Sequence, residues 1–188
     1  MKKILATILL GSSCAAANAA DTYTIDANHT HATFTFQHLG LSAFDGKIPA
    51  EDGTIVLDRA QKTGSVEVTF DLQKVATGVA KFDDHLRSND FFDVKTHPKA
   101  AFKASKIEFR GDKPATIAGN LTIKNITKPV TLEVTSFQCV EQHPMAKVPA
   151  CGANASATIK RSDFDLKYAL PAVPDEIELR IEVEAMRK

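Results

Sequence analysis

From Glu176 to Ala185 the chain sets Ile177, Leu179, Ile181, Val183 and Ala185 between acidic residues and Arg180, an apolar and polar alternation of period two. That pattern is a β-strand with one wet face and one apolar face, the habit of antiparallel sheets. The alternation recurs from Asn28 onwards in segment after segment. Many half-apolar strands must therefore share one interior, and a closed barrel meets that demand without leaving edges. The expectation is an all-β antiparallel barrel, with function sought in its interior.

Residues 1–19 carry the marks of an export signal: Lys2 and Lys3, an apolar run from Ile4 to Leu10, and Ala17-Asn18-Ala19 as an A-x-A cleavage site. The mature chain is expected to begin at Ala20 and to form a single domain over 20–188, long enough for a core that needs no metal. The apolar run is too short to span a bilayer. Cys14 is preceded by Gly11-Ser12-Ser13, with Leu10 one place too far back for lipidation.

The chain has 23 Lys plus Arg against 23 Asp plus Glu, and removal of Lys2 and Lys3 leaves 21 against 23, a net charge of −2. Such a chain lacks the positive field that a phosphate backbone demands, so no nucleic-acid partner is expected. An export signal without eukaryotic features points to a bacterial periplasm. In that compartment the N-x-S/T sequons at Asn28, Asn120, Asn125 and Asn154 are coincidental. Cys139 and Cys151 flank the polar, proline-containing stretch Glu141 to Pro149, and in an oxidising compartment such a pair is most simply a disulfide. A redox or metal role would need a C-x-x-C spacing or more imidazole than His143 supplies.

Along the chain, Thr22 to Ile25 reads as a short edge or lid strand, followed by a strand with Ala32, Phe34, Phe36 and His38 on one face. Phe44, Gly46 and Ile48 continue the inward set, Glu51-Asp52-Gly53 reads as a turn, and Ile55 and Leu57 resume. After Thr77-Gly78 the period changes: Val79, Phe82 and Leu86 share one side of a short helix over Lys81 to Arg87. With Phe91-Phe92 behind it, that helix has enough aromatic surface to cover an open end of the barrel. Strands return with Ala100, Phe102 and Ala104, then Ile107 and Phe109. Further on, Asn125 to Lys128 reads as the link of a hairpin. Ala153, Ala155, Ala157 and Ile159 are small inward residues that leave space, and Arg161 to Phe164 turns the chain. Arg87 with Asp84, Asp90 and Asp93, and Arg161 with Asp163, read as charged pairs that fix loops.

Several runs in register resemble the YceI-like family: Phe36-Gln37-His38-Leu39-Gly40, Asp84 to Asp93 with Pro98 after it, Gly119 to Ile123 with Thr127-Lys128-Pro129-Val130 and Leu132, and Arg161-Ser162-Asp163-Phe164. The resemblance runs from about Tyr23 to Val183. It implies a lipocalin-like barrel of about eight strands, with the short helix near one open end. It also implies a long isoprenoid lipid in the interior, such as a polyprenyl chain or quinone tail, and no established catalytic activity. The cysteine pair lies outside the family pattern.

An eight-stranded barrel is just wide enough to be filled by side chains or to hold one elongated ligand. Candidate lining residues are Phe34, Phe36, Phe44, Val66, Val68 and Phe82, with Phe91, Phe102, Ile117, Leu121, Ile123 and Phe164. Each is equally at home in an ordinary core. His38 shares the face of Phe34 and Phe36, and His85 lies beside the apolar stripe of the helix, so both are candidates to hydrogen-bond a quinone carbonyl or lipid head group. No cofactor is required, and a polyisoprenoid or ubiquinone-like molecule is the expected ligand. His29 and His31 project together from a strand, but neither Asp26 nor His97 is placed by spacing as a third ligand, and no metal site is expected.

No G-x-S-x-G elbow, H-E-x-x-H or glycine-rich phosphate loop is present, and no enzyme is expected. The leading expectation is periplasmic carriage or sequestration of the lipid, with a quinone serving a membrane redox protein as one form of it and a homodimer compatible. The alternatives are an envelope stress or structural module that binds another protein, and an enzyme acting on a bound quinone or isoprenoid.

Overall fold

The computed structural model describes residues 20–188; the export signal over 1–19 and Cys14 lie outside the described residues. Nine strands make one antiparallel sheet: β1 (Asp21–Ile25), β2 (His31–His38), β3 (Ser42–Asp58), β4 (Thr63–Asp71), β5 (Lys99–Arg110), β6 (Lys113–Ile123), β7 (Ile126–Val140), β8 (Ala150–Lys160) and β9 (Glu176–Arg187). From β2 to β9 each strand pairs with its neighbour in sequence, and β9 returns to β2, with Ala32 opposite Ile181. The alternating terminal segment is therefore the strand that closes an eight-lane barrel. One helix, α1 (Ala80–Arg87), interrupts the meander between β4 and β5.

The shortest strand is neither edge nor lid. β1 pairs with β3 on one side and β9 on the other, in line with β2, so the two share a single lane of the wall. A strand of five residues is stable there because both of its hydrogen-bonding edges are satisfied.

The turn expected at Glu51-Asp52-Gly53 is instead a β-bulge within the long strand β3, where the register slips between Ala50 and Asp52. Gly46, Ile48 and Ala50 are buried before the bulge, Gly53 and Leu57 after it. One extra residue moves the inward set from even to odd positions without ending the strand. The same device explains why Ala100 and Ala104 are buried at even positions of β5 but Ile107 at an odd one. The β6–β7 link is also shorter than expected. Ile123 already faces Ile126, so the turn is Lys124-Asn125, both with positive φ, a two-residue type I′ connection. Thr127 and Lys128 belong to the ladder.

This up-and-down order sorts the connections. The β2–β3 hairpin, the segment with α1, the β6–β7 turn and residues 161–175 lie at one end, while the β3–β4, β5–β6 and β7–β8 connections lie at the other. Cys139 and Cys151 are cross-strand partners in β7 and β8 and form a disulfide at the end away from α1. Loop-closure entropy for so short a loop is worth about 3 kcal/mol. Reduction, or replacement of both cysteines by serine, is expected to lower the melting temperature by roughly 5–10 °C. Calorimetry with and without reductant checks this, and an unchanged midpoint under verified reduction would remove the stabilising role.

Candidate ligand cavity

Inward side chains from the eight lanes leave a cavity of about 400 Å3 along the barrel. Its walls are almost wholly apolar, the polar side chains being Tyr23, Thr30, His38, His85, Arg161 and Tyr168. Two cross-strand arrangements keep it open. Gly46 faces Phe34 across the β2–β3 ladder, and the Phe34 ring covers the place where a Cβ of residue 46 would stand. On the other wall the Phe102 ring lies 2.6 Å from the Cβ position of Gly119. A ring lying over a strand glycine takes up the glycine's missing volume and stays flat against the wall. Ala100, Ala153 and Ala155 keep further parts of the lining short.

The expected lining residues Phe34, Phe36, Val66, Val68, Phe82 and Phe91 all stand on the cavity wall, as do Phe102, Ile117, Leu121 and Ile123. So do His38 and His85. Phe44 and Phe164 do not. The Phe44 ring is held off the wall by an aromatic stack, with Phe36 at 5.9 Å, Phe82 at 5.7 Å and His38 at 5.6 Å. Phe164 is 1% exposed and belongs to the solid core beneath the 161–175 segment, because the chain leaves the strand period at Arg161 and enters a short 3-10 turn. Leu39, Leu86, Phe92, Leu166, Tyr168 and Val173 also line the cavity. Leu86 comes from the apolar side of the short helix that its spacing with Phe82 marks, and the other five sit in loops, where no period reveals a face. The one signal for the 161–175 segment was the uncharged run Tyr168 to Pro174.

The short helix supplies the cavity's cover. Its N-terminus is fixed by Asp83, which accepts from the Thr77 backbone N–H at 2.6 Å and from the Thr77 hydroxyl at 2.7 Å. Arg87 donates to the Val75 carbonyl and pairs with Asp84 at 2.8 Å. Phe82, His85 and Leu86 then face the lumen, yet no residue of α1 is fully buried. His85 Nε2 lies 3.0 Å from Asp90 Oδ2, with the ring edge-on to Phe91 at 5.0 Å and Tyr168 at 4.7 Å. A carboxylate only accepts, so Nε2 is the donor in this contact, and Nδ1 is the ring nitrogen left toward other partners. The His38 side chain makes no hydrogen bond among the described residues and stands between Phe44 and Phe82.

Arg161 is 5% exposed and does not pair with Asp163, which is exposed. Its guanidinium instead donates to the carbonyls of Leu166 (2.6 Å), Val173 (2.8 Å), Tyr168 (2.9 Å) and Pro174 (2.9 Å). These bonds fold residues 166–174 over the end of the barrel. Burial draws the guanidinium's pKa down from its ordinary value while Asp175 pulls it back up. Asp175 accepts from the Ser162 backbone N–H and hydroxyl, and those bonds hold its carboxyl below the usual range.

Among the described residues no group of three His, Cys, Asp or Glu side chains is placed to share a metal ion. His29 is bound to Asp26 at 2.7 Å and His31 contacts Glu182 at 3.1 Å, so the two imidazoles engage different partners. The Asp26 hydrogen bond holds His29 above its ordinary pKa, whereas burial pushes His31 down.

Residues 23–185 match the YceI-like domain. A UPF0312 protein of Pseudomonas aeruginosa is 37% identical over 194 residues, covering the whole of both chains. Among solved structures, Campylobacter jejuni YCEI protein is 28% identical with a TM-score of 0.65, over 81% of this chain and 90% of that one. Burkholderia cenocepacia BcnA, at 23% identity, superposes with a TM-score of 0.70 over 86% of this chain and 99% of its own. A polyisoprenoid binding domain from Saccharophagus degradans, implicated in plant cell wall breakdown, shares the fold at 12% identity and a TM-score of 0.62, over 88% of this chain and 98% of its own.

If the Phe34 ring is seated by the missing side chain at position 46, Gly46→Ala should destabilise the barrel by about 1–3 kcal/mol through overpacking. The cost is expected to shrink when Phe34 is also made Leu, a coupling that a double-mutant cycle in urea reads directly. Additive losses would show that ring and glycine are independent.

Proposed function

The chain belongs to the YceI-like family, and from that premise we propose that it binds a long isoprenoid lipid, a polyprenyl chain or quinone tail, inside its barrel and carries or sequesters it in the periplasm. The observation that carries this reading is the cavity itself: about 400 Å3, within the range of small-molecule sites, with apolar walls along the barrel. Each buried CH2 contributes roughly 0.8 kcal/mol, so about ten give roughly 8 kcal/mol before association costs. An apolar tail therefore needs no polar anchor in the lumen.

The cavity meets the surface at the α1 end, where its lining includes the exposed residues Leu39, Tyr168 and Ala169. His38, His85 and Tyr168 gather there too, so an amphiphile lies with its tail inward and its head at the mouth. His38 can donate to a quinone carbonyl, and His85 Nδ1 can accept from a hydroxyl. The remaining polar groups of the wall have structural partners: Arg161 is bonded to four carbonyls, the Thr30 hydroxyl pairs with the Glu184 backbone at 3.2 Å, and the Tyr23 hydroxyl donates to Asp21. This inventory supports binding rather than catalysis. A quinone cargo would pass to a membrane redox protein.

Native followed by denaturing mass spectrometry of protein purified from its own host's periplasm is expected to release an apolar molecule of high mass. Ala155→Phe, which builds a ring into the lumen, is expected to lower the bound fraction tenfold or more while the barrel still melts cooperatively. No released lipid from the wild type, or undiminished lipid in a folded Ala155→Phe protein, would overturn the reading.

A further inference from the structure

The connections at the two ends of the barrel differ in how their charge is spread. At the end away from α1 the connections are charged: Asp58-Arg59 and Lys62, Arg110 with Asp112-Lys113, and Glu141 with Lys147. Met145 and Val140 are exposed there among those charges. At the mouth, two of the connections, Gln37 to Phe44 and Tyr168 to Pro174, hold no Asp, Glu, Lys or Arg. Leu41 is 83% exposed, Leu39 53% and Tyr168 49%, with Val79 exposed at the start of α1. Leu39 and Tyr168 are at once solvent-facing and part of the cavity wall, so the apolar surface runs unbroken from the outside into the lumen.

We propose that this rim, the β2–β3 hairpin tip with Val79 and the Tyr168 to Pro174 loop, docks on a lipid bilayer, so that the cavity mouth opens against the membrane surface. The inference rests on the isoprenoid reading, since a ligand with a long apolar tail resides in bilayers and must leave one to enter the barrel. Protruding loop tips suit shallow insertion at the acyl boundary. The charges beside the rim are mixed, Lys81 and Lys167 against Asp84, Asp90 and Asp165. Docking is therefore hydrophobic, needs no anionic lipid and changes little with salt.

The test uses phosphatidylcholine vesicles, with and without an isoprenoid quinone. The chain contains no tryptophan, so Leu41→Trp reports from a dark background: its emission is expected to shift to the blue on adding quinone-free vesicles, equally at low and high salt. Leu41→Ser/Val79→Ser, which alters two exposed side chains off the cavity wall, is expected to cut vesicle flotation and the rate of quinone uptake from vesicles about tenfold or more. Uptake from detergent micelles should stay at the wild-type level. Unshifted Leu41→Trp emission, or uptake from vesicles equal to that of the wild type, overturns the docking proposal while leaving lumen binding intact. Failure of the wild type to take up quinone even from micelles defeats the isoprenoid reading instead. A wild-type dimer that Leu41→Ser/Val79→Ser converts to monomer with unchanged uptake would assign the rim to a second copy and overturn docking.

Discussion

The wall of eight lanes sets a lumen whose width is comparable with the reach of inward side chains, and everything else in this molecule depends on how far those side chains reach. Large residues at every inward position would make a solid core. Here Gly46 and Gly119 let the Phe34 and Phe102 rings lie along the wall, and alanines from β5 and β8 shorten the lining between them. The aromatic content that a sequence reading takes for core filling is thus partly wall covering. A ring flat on a glycine buries its faces against the sheet and still presents apolar surface to the lumen.

The fold was legible because its main signal is local and repetitive. The strand from Glu176 to Arg187 announces its inward face residue by residue, and so do Ile117 to Ile123 and Phe34 to His38. Where the reading slipped, a local exception had changed the period. A bulge near Glu51 shifts parity in the same way as a turn, and the acidic, glycine-containing Glu51-Asp52-Gly53 imitates turn composition. Only the partner strand shows that pairing continues, with Gly53 opposite Val68. In the same way Lys124-Asn125 lacks the usual glycine of a type I′ turn, and the ladder alone reveals it.

The site was legible on the strands and obscure at the mouth. Strand parity placed Val66, Val68, Phe102 and Leu121 on the wall. It could not foresee that Phe44, correctly facing inward, is covered by Phe82 arriving from a helix far along the chain. Nor could spacing tell that Arg161 ignores Asp163. An arginine beside an aspartate suggests an ion pair, but a guanidinium turned inward can be satisfied by carbonyls of a loop that curls around it. That choice has a structural consequence: with all its hydrogen bonds spent on backbone carbonyls, one side chain organises residues 166–174, and those residues form one rim of the opening.

The distribution of constraint along the barrel axis follows from the same division. An apolar cavity forfeits the packing contacts of a solid core, so stability has to come from elsewhere. It comes from a ladder with no free edge and from the disulfide at the end remote from α1. The mouth end is held differently, by the polar contacts of Thr77 with Asp83, Arg87 with Val75 and Arg161 with its four carbonyls. The partly exposed contacts of α1 can be exchanged for water at modest net cost, whereas the buried Arg161 bonds and the β7–β8 staple cannot. The helix that contributes Phe82, His85 and Leu86 to the lining has no fully buried residue of its own. The segment is anchored on either side of the helix instead, by Leu72 and Val75 before it and Phe92 after it, all of them buried.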